Sequence, residues 1–244
     1  MFEFRPCHRQ ERYHGAVASL FPTQEAEANA LIDVIRDVLP VRMTGKIAIE
    51  VMRSEGSRNW KQMEWIGFWF EHLVENQVIP KTGGSRGPEY GRTRFDFKRN
   101  HVWDLKVHLD QSDWLILNDQ EAVHDCMQDN NGLGYLVVEG SADYDESGDF
   151  KQWHDDLKGG ASNYERERIK RGAPSRRRKI SFRPSKAMAI WIPSGEVAQN
   201  GVRDGWLKGF QEGMRNSNGN SRRAKFQIQP QKVPHDYVLV NEQF

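Results

Sequence analysis

Cysteine is nearly absent from this chain, whose 244 residues carry only Cys7 and Cys126. The two are far apart and form no CxxC pair, which argues against a thiolate zinc site and a disulfide-stapled fold, and leaves two free thiols. No apolar run approaches the length that crosses a bilayer, and the opening Met-Phe-Glu-Phe-Arg-Pro lacks the basic-then-apolar layout of a signal peptide. The expectation is a cytoplasmic protein with no membrane partner. Net charge is only +1, which excludes a generic polycation that coats nucleic acid. No internal repeat marks a solenoid, and no aromatic strand motif marks an RNA-binding sheet. The stretch Thr82 to Gly91 has four glycines and a proline but lacks the lysine and Ser/Thr of a phosphate-binding loop, so it reads as a connection.

What is present is a large supply of core. Eight Trp and twelve Phe lie in a chain that is 37% hydrophobic and 28% charged, as expected for one large folded domain with a polar working surface. A helix is predicted from Thr23 to Leu39, with an apolar stripe at Ala26, Leu31, Ile32, Ile35 and Val38. Lys46 to Met52 reads as a strand and Ser54 to Asn59 as a loop. From Trp60 to Gln77 the apolar residues return at helical spacing, with Glu64 and Glu71 two turns apart on nearly one face. Further strands are expected at Asp113–Leu117, Leu133–Glu139, Lys186–Ile192 and Tyr237–Val240. Helices are expected at Asp119–Gln128, Phe150–Leu157 and Asp204–Met214, and a turn at Asn216–Ser221. Leu133–Glu139 is nearly continuous in apolar residues, as a strand buried on both faces requires. Interleaved strands and helices imply an α/β fold, a central mixed sheet with helices on both sides.

The segment Arg94 to His108 carries the chemistry. Read as two strands joined by a turn near Arg99-Asn100, its alternation places Arg94, Asp96 and Lys98 on one side and Phe95 and Phe97 on the other. In the second strand Val102, Asp104, Lys106 and His108 share a side, and Trp103, Leu105 and Val107 the opposite one. Asp96, Asp104 and Lys106 then converge. Two close carboxylates repel unless a cation or a proton intervenes, and oxygen ligands without neighbouring Cys or His favour Mg2+, with Mn2+ able to substitute. Acid-x-Lys triplets are common by chance, and this chain has four: Asp96-Phe-Lys98, Asp104-Leu-Lys106, Asp149-Phe-Lys151 and Asp156-Leu-Lys158. Only Asp104-Leu105-Lys106 lies inside a strand with an acidic strand to pair it.

Asp96 followed by Asp104-Leu105-Lys106 resembles the signature of the PD-(D/E)XK nuclease superfamily, in particular its type II restriction endonucleases. The resemblance covers about residues 60–140, with Phe95 standing where the family has a proline. It implies a restriction-endonuclease-like fold, with 1–59 and 141–244 as recognition and dimerisation elaborations. It implies catalytic roles for Asp96, Asp104, Lys106 and a helix glutamate, Glu71 or alternatively Glu64. A metal would be held by Asp96, Asp104 and the Leu105 carbonyl, with His108 as an accessory. The implied activity is Mg2+-dependent cleavage of double-stranded DNA at a short sequence, by a homodimer if the site is palindromic. A structure-specific repair or recombination nuclease, and a DNA-binding protein without catalysis, are the alternatives.

Charge segregation adds a DNA contact. Tyr164 to Lys179 carries eight Lys/Arg against Glu165 and Glu167, so the remainder of the chain is net negative. Lys170, Arg171, Arg176, Arg177, Arg178 and Lys179 are the expected DNA-binding residues, because clustered cations gain by displacing counterions from a polyanion.

Overall fold

The computed structural model describes residues 19–174, 176–215 and 219–244. Cys7 and the first half of the Asn216–Ser221 turn, residues 216–218, lie outside the described residues. Chain order begins with helix α1 (Pro22–Val38), a two-residue strand β1 (Met43–Thr44) and helix α2 (Gly45–Ser54). Helix α3 (Trp65–Leu73) continues through a π turn, Val74–Val78, into α4 (Ile79–Thr82). Short strands β2 (Glu89–Tyr90), β3 (Thr93–Arg94) and β4 (Phe97–Lys98) precede the long β5 (Val102–Leu109) and then β6 (Leu115–Asp119). Next come α5 (Gln120–Asn130), β7 (Leu133–Tyr144), α6 (Asp149–Leu157), α7 (Asn163–Lys170) and β8 (Lys179–Ile192). Helix α8 (Gly195–Asp204), β9 (Leu207–Phe210), β10 (Lys225–Ile228) and β11 (Val238–Gln243) complete the order.

A mixed sheet ordered β1-β8-β7-β5-β4 forms the centre, with β11 also pairing along β8. Among the described strands only β5 and β7 pair in parallel, joined through β6 and α5, which agrees with the crossover that parallel strands need. Register shifts at Glu139/Gly140 and Asp143/Tyr144 bend the β7–β8 pair and help the sheet curl. Its two faces bury separate clusters. Trp103, Leu105, Leu136 and Val138 pack with α1, α2, α3 and Phe150 on one side. On the other, Val102, Tyr135, Val137 and Ile190 pack with α5, α8 and a second sheet, β6-β10-β9. β7 is therefore apolar on both faces, as its composition requires.

Several elements differ from the sequence reading. Lys46 to Met52 is helical, because the buried positions of α2 are Gly45, Ala48, Ile49 and Met52, a three-and-four spacing that tertiary packing selects over β-branched propensity. Asp204 to Met214 is not a helix. Gly205 at φ 83° ends α8, and Leu207–Phe210 instead pairs with β10. The basic run does not stay a loop to its end, since β8 begins at Lys179.

The acidic hairpin also departs from two regular strands. The chain leaves β geometry at Phe95–Asp96, and β3 turns back onto β2 while β4 pairs with β5 for only two residues. Phe95 and Phe97 consequently enter opposite cores, where an unbroken strand would have sent them to one face. Glycine is required beneath them, since a Cβ at Gly84 would lie 2.2 Å from the Phe97 ring and one at Gly87 2.7 Å from the Phe95 carbonyl oxygen. Buried Glu27 of α1 fixes the hairpin turn by accepting hydrogen bonds from the backbone N–H of Asn100 and His101, each at 3.0 Å.

Candidate active site

β4 stops short, so beyond Trp103 that edge of β5 has no strand partner among the described residues. Asp96 fills the vacancy with its side chain: Oδ2 accepts the Leu105 N–H at 2.8 Å. In an extended strand a residue's N–H and C=O point to the same edge, so the Leu105 carbonyl also faces Asp96. Asp104 and Lys106 project from the same face of β5. Asp104 is 1% exposed and its Oδ1 accepts from Asn118 Nδ2 at 3.1 Å. Its Oδ2 forms an ion pair with Lys106 Nζ at 2.5 Å.

Electrostatics unite four residues here. Burial, followed by repulsion from Asp104, holds the Asp96 carboxyl well above the usual carboxylate range. Lys106 experiences the reverse: burial alone would lower its ammonium, but Asp104 and Asp96 outweigh it and the net shift is upward. Glu71, on α3, is raised by loss of water around its carboxyl and by Asp104, against the pull of Lys106. Asp96 and Glu71 line one cleft of about 200 Å³ with Glu75, Arg86, Arg94 and Phe95. Arg86 pairs with Glu75, and Arg94 with Glu89, at its rim.

Glu71 is thus brought to Asp96, Asp104 and Lys106, whereas Glu64 is not. Glu64 stands at the start of α3 and pairs with Lys179. His108, two residues beyond Lys106 on β5, is 3% exposed, and its Nδ1 lies 3.4 Å from Oε2 of its neighbour Glu139 on β7. Cys126 is a buried free thiol, pushed up to about 12 by burial and then by Asp104, and is chemically quiet.

No group of three or more His, Cys, Asp or Glu is preassembled for a metal among the described residues. Mg2+ does not need one, because it keeps several waters and binds through one or two carboxylates. Asp96 and Asp104 fit that demand: they are hard oxygen donors, mutually repelled, and partly neutralised by an ammonium where a divalent cation would relieve them better.

The basic segment divides. Arg178 is 5% exposed and lies 3.8 Å from buried Asp155, and Lys179 pairs with the partly exposed Glu64. Lys170 pairs with Glu167 at 2.9 Å, Arg171 donates to the Glu167 carbonyl, and Arg177 pairs with Glu146 while lying 4.8 Å from the Tyr144 ring centroid. Arg176 is exposed. Tyr144, opposite Lys179, is nine residues along β7 from Tyr135, which is opposite Asp104. Lys179, at the end of the run, meets the start of α3 through Glu64 and Trp65, about two helical turns from Glu71.

Three neighbours of the site escaped the sequence reading. Asn118 holds Asp104, and no local pattern signals an asparagine fourteen residues downstream. Tyr135 is fully buried with its hydroxyl unpartnered among the described residues, and burial and Asp104 hold its proton on. A second cation group, Arg92 with Arg222, Arg223 and Lys225, lines a larger cleft of about 530 Å³. The run Arg222-Arg223-Ala224-Lys225 was a readable signal for it. Comparison with protein-family models, with curated proteins and with solved structures gives no match.

Proposed function

We propose that this chain is a magnesium-dependent nuclease of the PD-(D/E)XK kind, with a restriction-endonuclease-like fold, that hydrolyses double-stranded DNA at a short sequence. The observation that carries the reading is the convergence of Asp96, Asp104, Lys106 and Glu71 at the uncovered edge of β5. Mg2+, or Mn2+ in its place, held by Asp96, Asp104 and the Leu105 carbonyl, supplies charge neutralisation and a more acidic water. Hydrolysis joins a water oxygen to phosphorus, releases one ester oxygen and moves a proton from the water.

The chain's own groups divide that work. Lys106 stays an ammonium beside Asp104, so its part is to donate to a phosphate oxygen and offset charge that grows in the transition state. The Asp96 and Glu71 carboxyls at the cleft are both raised, but Asp96 is engaged by the Leu105 N–H, which leaves Glu71 suited to accept the water's proton. Asp96 anchors the site to the backbone through Leu105. A palindromic target calls for a two-fold homodimer, each subunit cutting one strand.

Glu71→Gln is expected to slow cleavage on the order of a hundredfold at unchanged DNA affinity. Glu64→Gln is expected to leave the rate within about twofold, since it loses only a partly exposed pair. Single-turnover rates on one duplex separate the two. The activity itself is tested by incubating plasmid DNA with the protein and Mg2+. Discrete fragments are expected, none in EDTA, whereas intact DNA in every divalent metal would overturn the reading.

A further inference from the structure

The cleft lined by Arg92, Asp119, Arg222, Arg223 and Lys225 lies where β3, β6 and β10 meet. Four cations face one carboxylate there, leaving a local excess of three positive charges. Asp119 organises the floor. Its Oδ2 accepts from Arg223 Nη1 at 3.1 Å and from Thr93 Oγ1 at 2.9 Å, and its Oδ1 lies 3.1 Å from Lys225 Nζ. Burial alone would raise this carboxyl, but those donors overcome it and hold it below its usual range, so it remains an anion that fixes the two cations.

Arg92 and Arg222 are different. Both are exposed, and neither forms an ion pair among the described residues, so their guanidinium donors remain available. The wall that carries Arg222 is tied down. Gln120 N donates to the Ala224 carbonyl at 2.9 Å and Arg222 N to the Met214 carbonyl at 2.8 Å. Gln120 Nε2 reaches the Lys225 carbonyl at 3.1 Å.

The cleft is coupled to the acid cluster through two adjacent residues of one strand. Successive side chains on β6 point opposite ways, so Asn118 reaches Asp104 while Asp119 reaches Thr93, Arg223 and Lys225. The second link is covalent, since Asp96 follows Thr93 by three positions, at most about 11 Å of chain. A DNA strand carries a charged phosphate at every nucleotide, so a strand with one phosphate at Asp96 and Asp104 would present a neighbouring one to this cleft.

We infer that the Arg92–Arg222 cleft binds the phosphodiester backbone of duplex DNA and sets which bond reaches the acid cluster. Forked guanidiniums held over a fixed cationic floor suit phosphate oxygens better than they suit a neutral or cationic ligand. The inference rests on the nuclease reading for the identity of the neighbouring site, but the backbone contact itself does not require cleavage.

The test is fluorescence-anisotropy binding of a labelled duplex in Ca2+ or EDTA across a salt series. It compares the full chain with Arg92→Ala/Arg222→Ala and with a charge-matched control, Lys46→Ala/Arg58→Ala, on the α2 side. All four altered residues are exposed, and thermal melts check that each variant folds. Loss of two phosphate contacts is expected to weaken binding at least tenfold at 0.1 M salt. The slope of log K against log salt should fall by about two, at ~0.9 per phosphate neutralised. The control should bind like the parent. Equal affinity and slope for Arg92→Ala/Arg222→Ala and parent would overturn the inference, even if the protein cuts DNA. A selective loss of binding in a protein that never cuts would sustain the cleft and sink the nuclease reading instead. Weakening that is equal in the control, or a parent with no salt-dependent duplex binding, would also overturn it.

Discussion

Lys106→Met and Asp104→Asn are each expected to lower the cleavage rate on the order of a thousandfold or more while leaving duplex affinity in Ca2+ or EDTA nearly intact. The two substitutions fail for different reasons. Methionine keeps the volume of the lysine stem but removes the cation 2.5 Å from Asp104 Oδ2, so two crowded carboxylates lose their internal counter-ion. Lys106→Met should therefore melt lower than the parent in EDTA at pH 8 and regain more stability on adding Mg2+, because a bound cation stabilises only the folded form. Asparagine at position 104 keeps the shape and an acceptor for Asn118, but it removes one of the two proposed anionic ligands. Its melting temperature should respond little to Mg2+. Rate, affinity and metal-dependent melting measured together distinguish a chemical defect from a misfolded site. Full activity in either variant would remove these residues from the mechanism.

Asp96→Asn carries the second large effect, with opposite signs for stability and activity. The folded chain holds the Asp96 proton more tightly than the unfolded chain does, so ionising this carboxyl opposes folding. The penalty is absent below the usual carboxylate range and grows as pH rises through the raised value. Metal-free parent protein is therefore expected to lose thermal stability from pH 5 to pH 8 through this group. In a chain of this size each kcal/mol corresponds to about 2–4 °C. Asparagine retains an oxygen for the Leu105 N–H and cannot ionise, so Asp96→Asn should show a flatter pH profile and melt above the parent at pH 8 in EDTA. Cleavage should fall on the order of a thousandfold, since a ligand and its charge are gone. A variant less stable than the parent at pH 8 would mean that Asp96 is a structural carboxylate.

These contrasts show where the sequence was legible. Asp104 and Lys106 could be placed on one face because β5 is a regular strand with strict alternation, and their neighbours Trp103 and Leu105 had to be buried. Asp96 reached the same site by another route. It lies outside any strand and is located by one hydrogen bond to Leu105, which alternation cannot foresee. The choice between Glu71 and Glu64 was open in the sequence because both share a helix face, and Lys179, distant in the chain, occupies Glu64.

The basic residues show the converse. Adjacent arginines read as one solvent-facing patch, but a buried partner at Asp155 turns Arg178 inward, and Lys179, where a strand starts, pairs with Glu64. The Arg222–Lys225 run was shorter and less conspicuous, and it gained importance only when β6 and β10 placed it beside Arg92. A mixed sheet with helices on both faces was readable from apolar runs such as Leu133–Glu139. The helix at Gly45–Ser54 was not, because its Ile and Val residues mimic a period of two until packing fixes which side is buried.

The central claim is best tested by sequencing the ends of DNA released by the protein in Mg2+. The expected result is cuts at one short sequence, absent in EDTA and reduced on the order of a thousandfold by Asp104→Asn. Ends scattered without sequence preference, or cutting that persists in EDTA or in Asp104→Asn, would contradict it.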